Sequence, residues 1–388
     1  MNIGFDAKRL YQNNTGLGHY SRTLISALMK YYPLNEYFLF APKKTGLFSS
    51  AGFHNVQTIE PANFLGKKFK SLWRSSLVLK DLLENKIDLY HGLSHEIPTG
   101  ISATGIKSIV TIHDLIFEIY PQQYNPIDRF IYRKKFRYAC RHSDHIISIS
   151  HQTKKDLIEY YGIDENKITV CYQSCDEGYT KRLDAGQKTL VRIRYSLPEK
   201  YFLFVGSIIE RKNLLTICKA LNLMEGNSIP LVVIGDGGAY KKKVKAYLKE
   251  NSISHLVIFL SETAEAQQHL SIKTSEDFPA IYQQAVAFIY PSVYEGFGIP
   301  ILEALWSGTP VITTGLSCMP ETGGDAALYV PAYDAGLLSA AMLNIAGNAS
   351  LAADMVSKGF KHAQNFSQQQ TAEAVMNVYY KTINAKGL

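Results

Sequence analysis

Residues Tyr290–Ile312 read Y-P-S-V-Y-E-G-F-G-I-P-I-L-E-A-L-W-S-G-T-P-V-I, and this stretch decides the fold. A buried strand ends at Tyr290, a turn carries Glu295, Gly296, Phe297 and Gly298, and a helix runs from Ile299 to Trp306 before Gly308 stops it. The glycines let main-chain amides approach a ligand, and with the positive end of the helix dipole they make an anion site suited to a diphosphate. Glu295 stands before the helix and Glu303 within it, so both carboxylates are expected on the strand-end side at different depths. A carboxylate accepts from vicinal hydroxyls, and two spaced in this way suit two polyols, such as a sugar and a ribose. The spacing alone equally fits a plain strand-to-helix turn with both glutamates solvated.

The same alternation extends to both ends of the chain, which predicts parallel sheets with crossover helices. In the first half the expected strands are Asn2–Asp6, Tyr37–Ala41, Val56–Glu60, Ile87–Tyr90, Ser108–His113, His145–Ser150 and Ile168–Tyr172. Helices fit at Gly18–Tyr31, Lys68–Glu84, Pro126–Arg141 and His151–Tyr161. The second half repeats the order with Tyr201–Gly206, Leu231–Gly235, Leu256–Leu260, Ala287–Tyr290, Val311–Thr313 and Ala327–Val330. Domains are therefore expected at 1–175 and 201–366, with a polar linker over 176–200 and a last helix in 367–388, returning to the first domain. Ligands of open α/β sheets bind outside the carboxyl ends of the strands, so two such domains facing each other would share one cleft.

The 388 residues suit two ordinary domains, and no apolar run is long enough to span a bilayer. Five cysteines without a C-x-x-C pair suit free thiols in a reducing cytoplasm. A net charge of +7 points to anionic small ligands or lipid more readily than to nucleic acid.

After the strand Y-F-L-F-V-G comes S-I-I-E-R-K-N, which places Arg211 and Lys212 at the entry to the next helix. An Arg fork beside a Lys point charge suits phosphate oxygens. Taken together, E-G-F-G-I-P-I-L-E is similar to the E-x7-E signature of retaining glycosyltransferases of family 4, and V-G-S-I-I-E-R-K-N resembles that family's phosphate-binding turn. The similarity continues through G-D-G-G at 235–238, G-T-P-V-I at 308–312 and P-E-T-G-G-D-A-A-L-Y-V at 320–330.

The resemblance implies a GT-B architecture, two Rossmann-like domains with parallel sheets facing across a cleft. It also implies metal-independent transfer of a hexose from a nucleotide-diphosphate sugar. By that analogy Arg211 and Lys212 hold the diphosphate, Glu303 holds the ribose, and Glu295 with Gly296, Phe297, Gly298 and Ile299 holds the donor sugar. The acceptor would be a glycan or lipid-linked saccharide in polysaccharide or glycolipid synthesis, bound by the first domain. A mannose-type donor on guanosine diphosphate is the expectation for the sugar. No cofactor and no metal ion is expected.

In the first domain, N-T-G-L-G-H-Y-S places Gly16 and Gly18 after the first strand, and the resemblance implies that this loop approaches the donor phosphates. It lacks the last glycine of a dinucleotide fingerprint, which weakens an oxidoreductase reading. Nor is there a clear acidic residue after the second strand. A sugar-nucleotide epimerase and a non-catalytic sugar-nucleotide-binding protein are the remaining alternatives. His113 and Asp114 end a strand in S-I-V-T-I-H-D-L. The resemblance places His113 near the sugar's reacting end, while Asp114 either orients His113 or caps the next turn. Ser207, where relatives carry a basic residue, and Leu260–Ser261, where they carry a glycine, depart from the family pattern.

Arg129, Arg133, Arg137 and Arg141 recur every fourth residue and form a basic stripe on one helix face. One reading is a solvated face. The other is a contact with anionic membrane, supported by a second patch of Lys67, Lys68, Lys70 and Arg74 among Phe64, Phe69 and Trp73. On that reading the enzyme is cytoplasmic and peripheral on the inner membrane face.

Overall fold

The computed structural model describes residues 1–62, 64–224, 226 and 229–385. The chain divides into two compact units. One holds residues 1–175 with the segment from Phe366 onward, and the other holds Asp176–Asn365.

The first unit carries a seven-stranded sheet ordered β3-β2-β1-β4-β5-β6-β7. Its strands are β1 (Asn2–Asp6), β2 (Glu36–Phe40), β3 (Val56–Ile59), β4 (Leu89–Gly92), β5 (Lys107–Ile112), β6 (His145–Ser148) and β7 (Ile168–Val170). Every pairing is parallel. Crossover helices cover parallel sheets on both faces, so inner strands read as continuous apolar runs such as I-V-T-I in β5. The final helix, Gln368–Asn384, packs Ala372, Val375, Met376 and Tyr379 into this unit's core beside Leu24 and Leu28. The Tyr379 hydroxyl meets His91 Nδ1 at 2.6 Å and so satisfies a buried polar ring. Residues 386–388, at the end of that expected helix, lie outside the described residues.

The second unit carries a six-stranded sheet ordered β10-β9-β8-β11-β12-β13, again parallel throughout. Its strands are β8 (Phe202–Val205), β9 (Leu231–Ile234), β10 (Val257–Phe259), β11 (Ala287–Tyr290), β12 (Val311–Thr313) and β13 (Ala327–Tyr329). In both sheets the strand order reverses direction once, between β1 and β4 and between β8 and β11. The two loops that leave such a pair diverge, and the crevice between them is where open α/β sheets bind ligands.

Two expectations need correction. Residues 176–200, read as a linker, contain a helix over Ala185–Arg194 within the second unit. Its helical period is weak because most of it is exposed and only Val191 is buried, but Asp184 and Gln187 form a reciprocal capping box. The helix expected over Lys68–Glu84 is broken into Phe64–Lys68, Lys70–Leu72, a π-turn at Trp73–Leu77 and Val78–Glu84. The wider turn lets two consecutive side chains point inward. Trp73 Nε1 donates to Asp81 at 2.6 Å, and Arg74 reaches β1.

Candidate functional site

The helix that follows the decisive turn spans Ile299–Ser307. Gly298, at φ +96°, precedes it without a side-chain cap, Pro300 occupies its first turn, and Gly308 ends it in the left-handed region. Its first amides face the carboxyl end of the sheet's switch point, an arrangement that favours anions.

On the other side of the switch point, Arg211 and Lys212 follow β8. Gly206, at φ +145°, makes room for them, since a Cβ there would lie 2.8 Å from Lys212 Nζ. Both cations converge on Glu295. Arg211 NH1 lies 2.7 Å from Glu295 Oε1, and Lys212 Nζ lies 3.5 Å from the same oxygen. Arg211 also donates to the Tyr294 carbonyl. Lys212 donates to the Tyr290 hydroxyl at 2.5 Å and lies over that ring, 4.9 Å from its centroid. Ser292 Oγ at 2.8 Å and Tyr290 Oη at 2.9 Å complete the shell of Glu295.

Burial alone would raise the Glu295 pKa, but Lys212 and Arg211 overcome that and hold its carboxyl at about 2. Lys212 is moved below the ordinary lysine value by desolvation, only partly offset by Glu295. The family resemblance implies that Glu295 lies against the donor sugar. In the structure it is first of all the counter-ion of the two phosphate-binding candidates.

Glu303 sits apart from this cluster. Its Oε2 accepts from the Tyr282 hydroxyl at 3.0 Å, and the Tyr179 hydroxyl also bonds it. Burial pushes its carboxyl up to about 7 despite those donors. The side chains of Phe297 and Ile301 are buried under the turn, and the Phe297 carbonyl accepts from Thr322. Tyr290, Ser292, Tyr282 and Tyr179 were not singled out from the sequence. An aromatic residue at a strand end reads as core, and nothing local marks its hydroxyl as a partner for a glutamate.

In the first unit Gly18 and Gly16 differ. A Cβ at Gly18 would lie 1.8 Å from the Asn13 carbonyl oxygen, whereas one at Gly16 would meet nothing within 4 Å. Gly18 is thus required by packing, and its amide bonds the Thr15 carbonyl at 2.9 Å and Asn13 Oδ1 at 3.1 Å.

His113 is buried at the end of β5, with Nε2 2.9 Å from the Leu93 carbonyl and Nδ1 3.2 Å from Gln173 Nε2. The carbonyl can only accept, so Nε2 carries the proton and Nδ1 accepts from the glutamine. Tyr20 meets the ring edge-on at 4.6 Å. Desolvation moves its pKa down to about 4, which keeps it neutral. Both ring nitrogens are therefore committed inside the unit. Asp114 caps the next turn, accepting from the Ile116 amide at 3.0 Å.

One residue with no sequence signal, His95, joins His113. His95, at φ +65°, occupies a conformation that costs a non-glycine residue about 1 kcal/mol or more. It stacks on Phe136 at 4.3 Å and accepts from the His113 amide at 3.4 Å. Glu96 accepts from Arg74 at 2.7 Å and from Lys135 at 3.2 Å, while Arg74 also forks onto Asp6 with Nε at 3.0 Å from both oxygens.

The basic stripe divides. Arg133 Nε donates to Glu118 at 2.7 Å, and Arg137 lies 5.2 Å over the Tyr161 ring. Phe136, Ala139 and Cys140 are buried, whereas Ile127, Phe130, Ile131 and Tyr132 are exposed. In the second patch, Trp73 is buried and Arg74 is bound internally, so only Phe64, Phe69 and their lysines remain on the surface, with Lys68 over both rings.

The family profile described as Glycosyl transferases group 1 matches residues 192–362, and that of Glycosyltransferase Family 4 matches residues 15–177. The sequence is 26% identical to the O-antigen chain mannosyltransferase B of Escherichia coli, over 98% of this chain and 99% of that protein. It is 27% identical to the O-antigen chain mannosyltransferase RfbU of Salmonella typhimurium, over 61% of this chain and 60% of that one. Among solved structures, WaaG, a glycosyltransferase involved in lipopolysaccharide biosynthesis, aligns with a TM-score of 0.69 at 15% identity over the whole of both chains. Anabaena HepE in complex with UDP and glucose aligns with a TM-score of 0.74 at 15% identity, over 98% of this chain and 100% of that one. At these identities the structural likeness speaks for the GT-B fold.

Proposed function

The chain belongs to the group 1, family 4 glycosyltransferases, and from that premise we propose that it is a retaining mannosyltransferase that uses a guanosine-diphosphate sugar to extend a glycan or a lipid-linked saccharide. The observation that carries this reading is the convergence of Arg211, Lys212 and Glu295 at the switch point of β8 and β11, beside the uncapped start of helix Ile299–Ser307. The mannose part rests on two O-antigen mannosyltransferases, one similar over 98% of this chain and the other over 61%.

A donor diphosphate entering this crevice competes with Glu295 for both cations, which frees the carboxylate to accept from sugar hydroxyls. Glu303, with its two tyrosines, receives the ribose. The bond from the anomeric carbon to the diphosphate oxygen then breaks, and the acceptor oxygen bonds to the same carbon on the same face. The acceptor's proton passes to the departing diphosphate oxygen. Arg211, Lys212 and the helix amides stabilise the charge that develops there, so the protein's own cations supply what a metal ion supplies elsewhere. Glu295 and Glu303 sit on the phosphate side, which suits hydroxyl binding and not backside attack.

On this reading the first unit takes the acceptor, with His113 as a positioning residue that fixes the end of β5. The enzyme works in the cytoplasm against the membrane surface. Incubation with a panel of labelled sugar nucleotides and a mannosyl acceptor tests the proposal. Transfer from GDP-mannose with retained anomeric configuration by proton NMR is the expected result. Transfer only from another nucleotide sugar overturns the donor assignment, and an inverted product overturns the mechanism.

A further inference from the structure

The first unit has its own switch point, between β1 and β4, and its charges do not balance. Among the described residues, Asp6 and Glu96 are the carboxylates that act on Lys8, and both are occupied. Arg74 holds Asp6 through Nε at 3.0 Å and reaches Glu96 with NH1 at 2.7 Å, while Lys135 takes the same Glu96 oxygen at 3.2 Å. Two cations against two carboxylates leave this network neutral.

Lys8 and Arg9 stand one residue beyond β1, after Ala7, in the field of the same network, yet among the described residues neither forms an ion pair. The backbone amide of Lys8 bonds Asp6 Oδ1 at 3.2 Å, which fixes where the side chain starts. Arg9 Nε is buried and has no hydrogen-bond partner among the described residues. A buried donor without a partner costs about 1–3 kcal/mol, so it marks a place built to be completed by something else. Both side chains remain partly exposed and reachable.

Asp6 and Glu96 also act on Lys8, but both are held by Arg74 and Lys135. His95 and His113, which feel Arg9, are held neutral by burial. The lysine itself is moved below its ordinary value by desolvation first, and then by Arg74 and Arg9.

We propose that Lys8 and Arg9, at the carboxyl end of β1, form a phosphate-binding site for an acceptor that carries a phosphate or diphosphate group. The charge count selects this chemistry. A phosphate monoester carries about −1.5 to −2 charge at neutral pH and matches two surplus cations, whereas a carboxylate would leave one unmatched. An arginine fork beside a lysine is also the pairing that phosphate oxygens accept in several directions. The inference rests on the reading that the first unit takes the acceptor, and it narrows that acceptor to phosphorylated carriers.

Titration calorimetry of the full chain with octyl diphosphate and, separately, with GDP tests the site in wild type, Lys8→Met and Arg9→Met. Wild type is expected to bind both ligands. Each substitution should weaken octyl diphosphate about tenfold or more and leave GDP within about twofold. Since each removes a charge that has no counter-ion, both variants should melt at or above the wild-type temperature. Three results overturn the proposal: no binding of octyl diphosphate by wild type, octyl diphosphate affinity unchanged from wild type in both variants, or a loss of GDP affinity that matches the loss of octyl diphosphate. A fall in melting temperature in both variants also overturns it, because the residues would then be structural. If diphosphate binding behaves as expected while GDP-mannose gives no transfer, the mannosyltransferase reading fails and this site stands.

Discussion

The two switch points occupy the same place in two sheets of the same order, yet they treat charge differently. Between β8 and β11, Arg211 and Lys212 both lie on Glu295, and the carboxylate is held at about 2 by them. Between β1 and β4, Arg74 and Lys135 take up Asp6 and Glu96, and Lys8 with Arg9 is left in excess. A site whose cations already have a carboxylate must exchange one anion for another when a diphosphate enters. A site with surplus cations gains its first. The first arrangement costs affinity but keeps the protein stable, and the second does the reverse.

The largest expected effect comes from breaking the matched site. Glu295→Ala leaves two buried cations without their counter-ion and should destabilise the protein by about 3–5 kcal/mol in denaturant unfolding. Because the diphosphate no longer competes with a carboxylate, saturating GDP should raise the melting temperature of this variant by more than it raises that of wild type. Equal increments would mean that Glu295 and the diphosphate do not share the cations. Next in size, Arg211→Ala should weaken GDP binding by about 1.5–3 kcal/mol in calorimetry, and Lys212→Ala should act in the same direction. Unchanged GDP affinity in both variants would remove the donor from this switch point.

Much of this is legible in the sequence. Strands β8 and β11 are apolar runs ended by a glycine or a proline, and each lies within a residue or two of where the sequence put it. Helix His151–Tyr161 shows both of its signals, Ser150 as N-cap and Gly162 as left-handed C-cap. Helix Ala185–Arg194 was missed because a surface helix has little apolar period, although D-A-G-Q at 184–187 is a capping box. For the site, the sequence supplies residue types and their order along the chain, which is enough to bring Arg211, Lys212 and Glu295 to one switch point. It could not say that Glu295 turns towards the cations, because spacing fixes a Cα and not a rotamer. Nor could it show that Tyr179, far earlier in the chain, reaches Glu303, or that His113 spends both ring nitrogens on its own unit. Those depend on tertiary neighbours alone.

A third test concerns Glu303, whose folded pKa of about 7 lies above the ordinary glutamate value of 4.5. Below the ordinary value, folded and unfolded states both hold the proton and no penalty arises. As pH rises from about 4.5 to 7, the unfolded chain releases the proton while the folded one keeps it, so this residue lowers stability across that window and by a constant amount above it. Glu303→Gln should therefore be stabilised relative to wild type at pH 8 and equal to it near pH 4. A stability difference that does not change with pH would show that the carboxyl titrates normally. The same substitution should weaken GDP binding through the ribose.

The smallest effect expected is at the surface of the first unit, and it divides the arginine stripe by what each residue touches. Arg133 is bonded to Glu118 and Arg137 lies on Tyr161, so their side chains are already committed. Among the described residues Arg129 has no such contact, and beside it Ile127, Phe130 and Ile131 stand in solvent, with relative exposures of 70%, 68% and 41%. Among the described residues no single helix is long and apolar enough to cross a membrane. A basic residue near an anionic surface contributes about 1 kcal/mol, and apolar side chains entering the headgroup region add to it. Phe130→Ser with Arg129→Gln should therefore reduce co-sedimentation with phosphatidylglycerol vesicles, leave melting unchanged, and spare transfer to a water-soluble acceptor. Arg133→Gln should do the opposite, lowering the melting temperature by releasing Glu118 while vesicle binding changes little. Equal vesicle binding by the Phe130 and Arg129 double variant and wild type would make the whole stripe a solvated face.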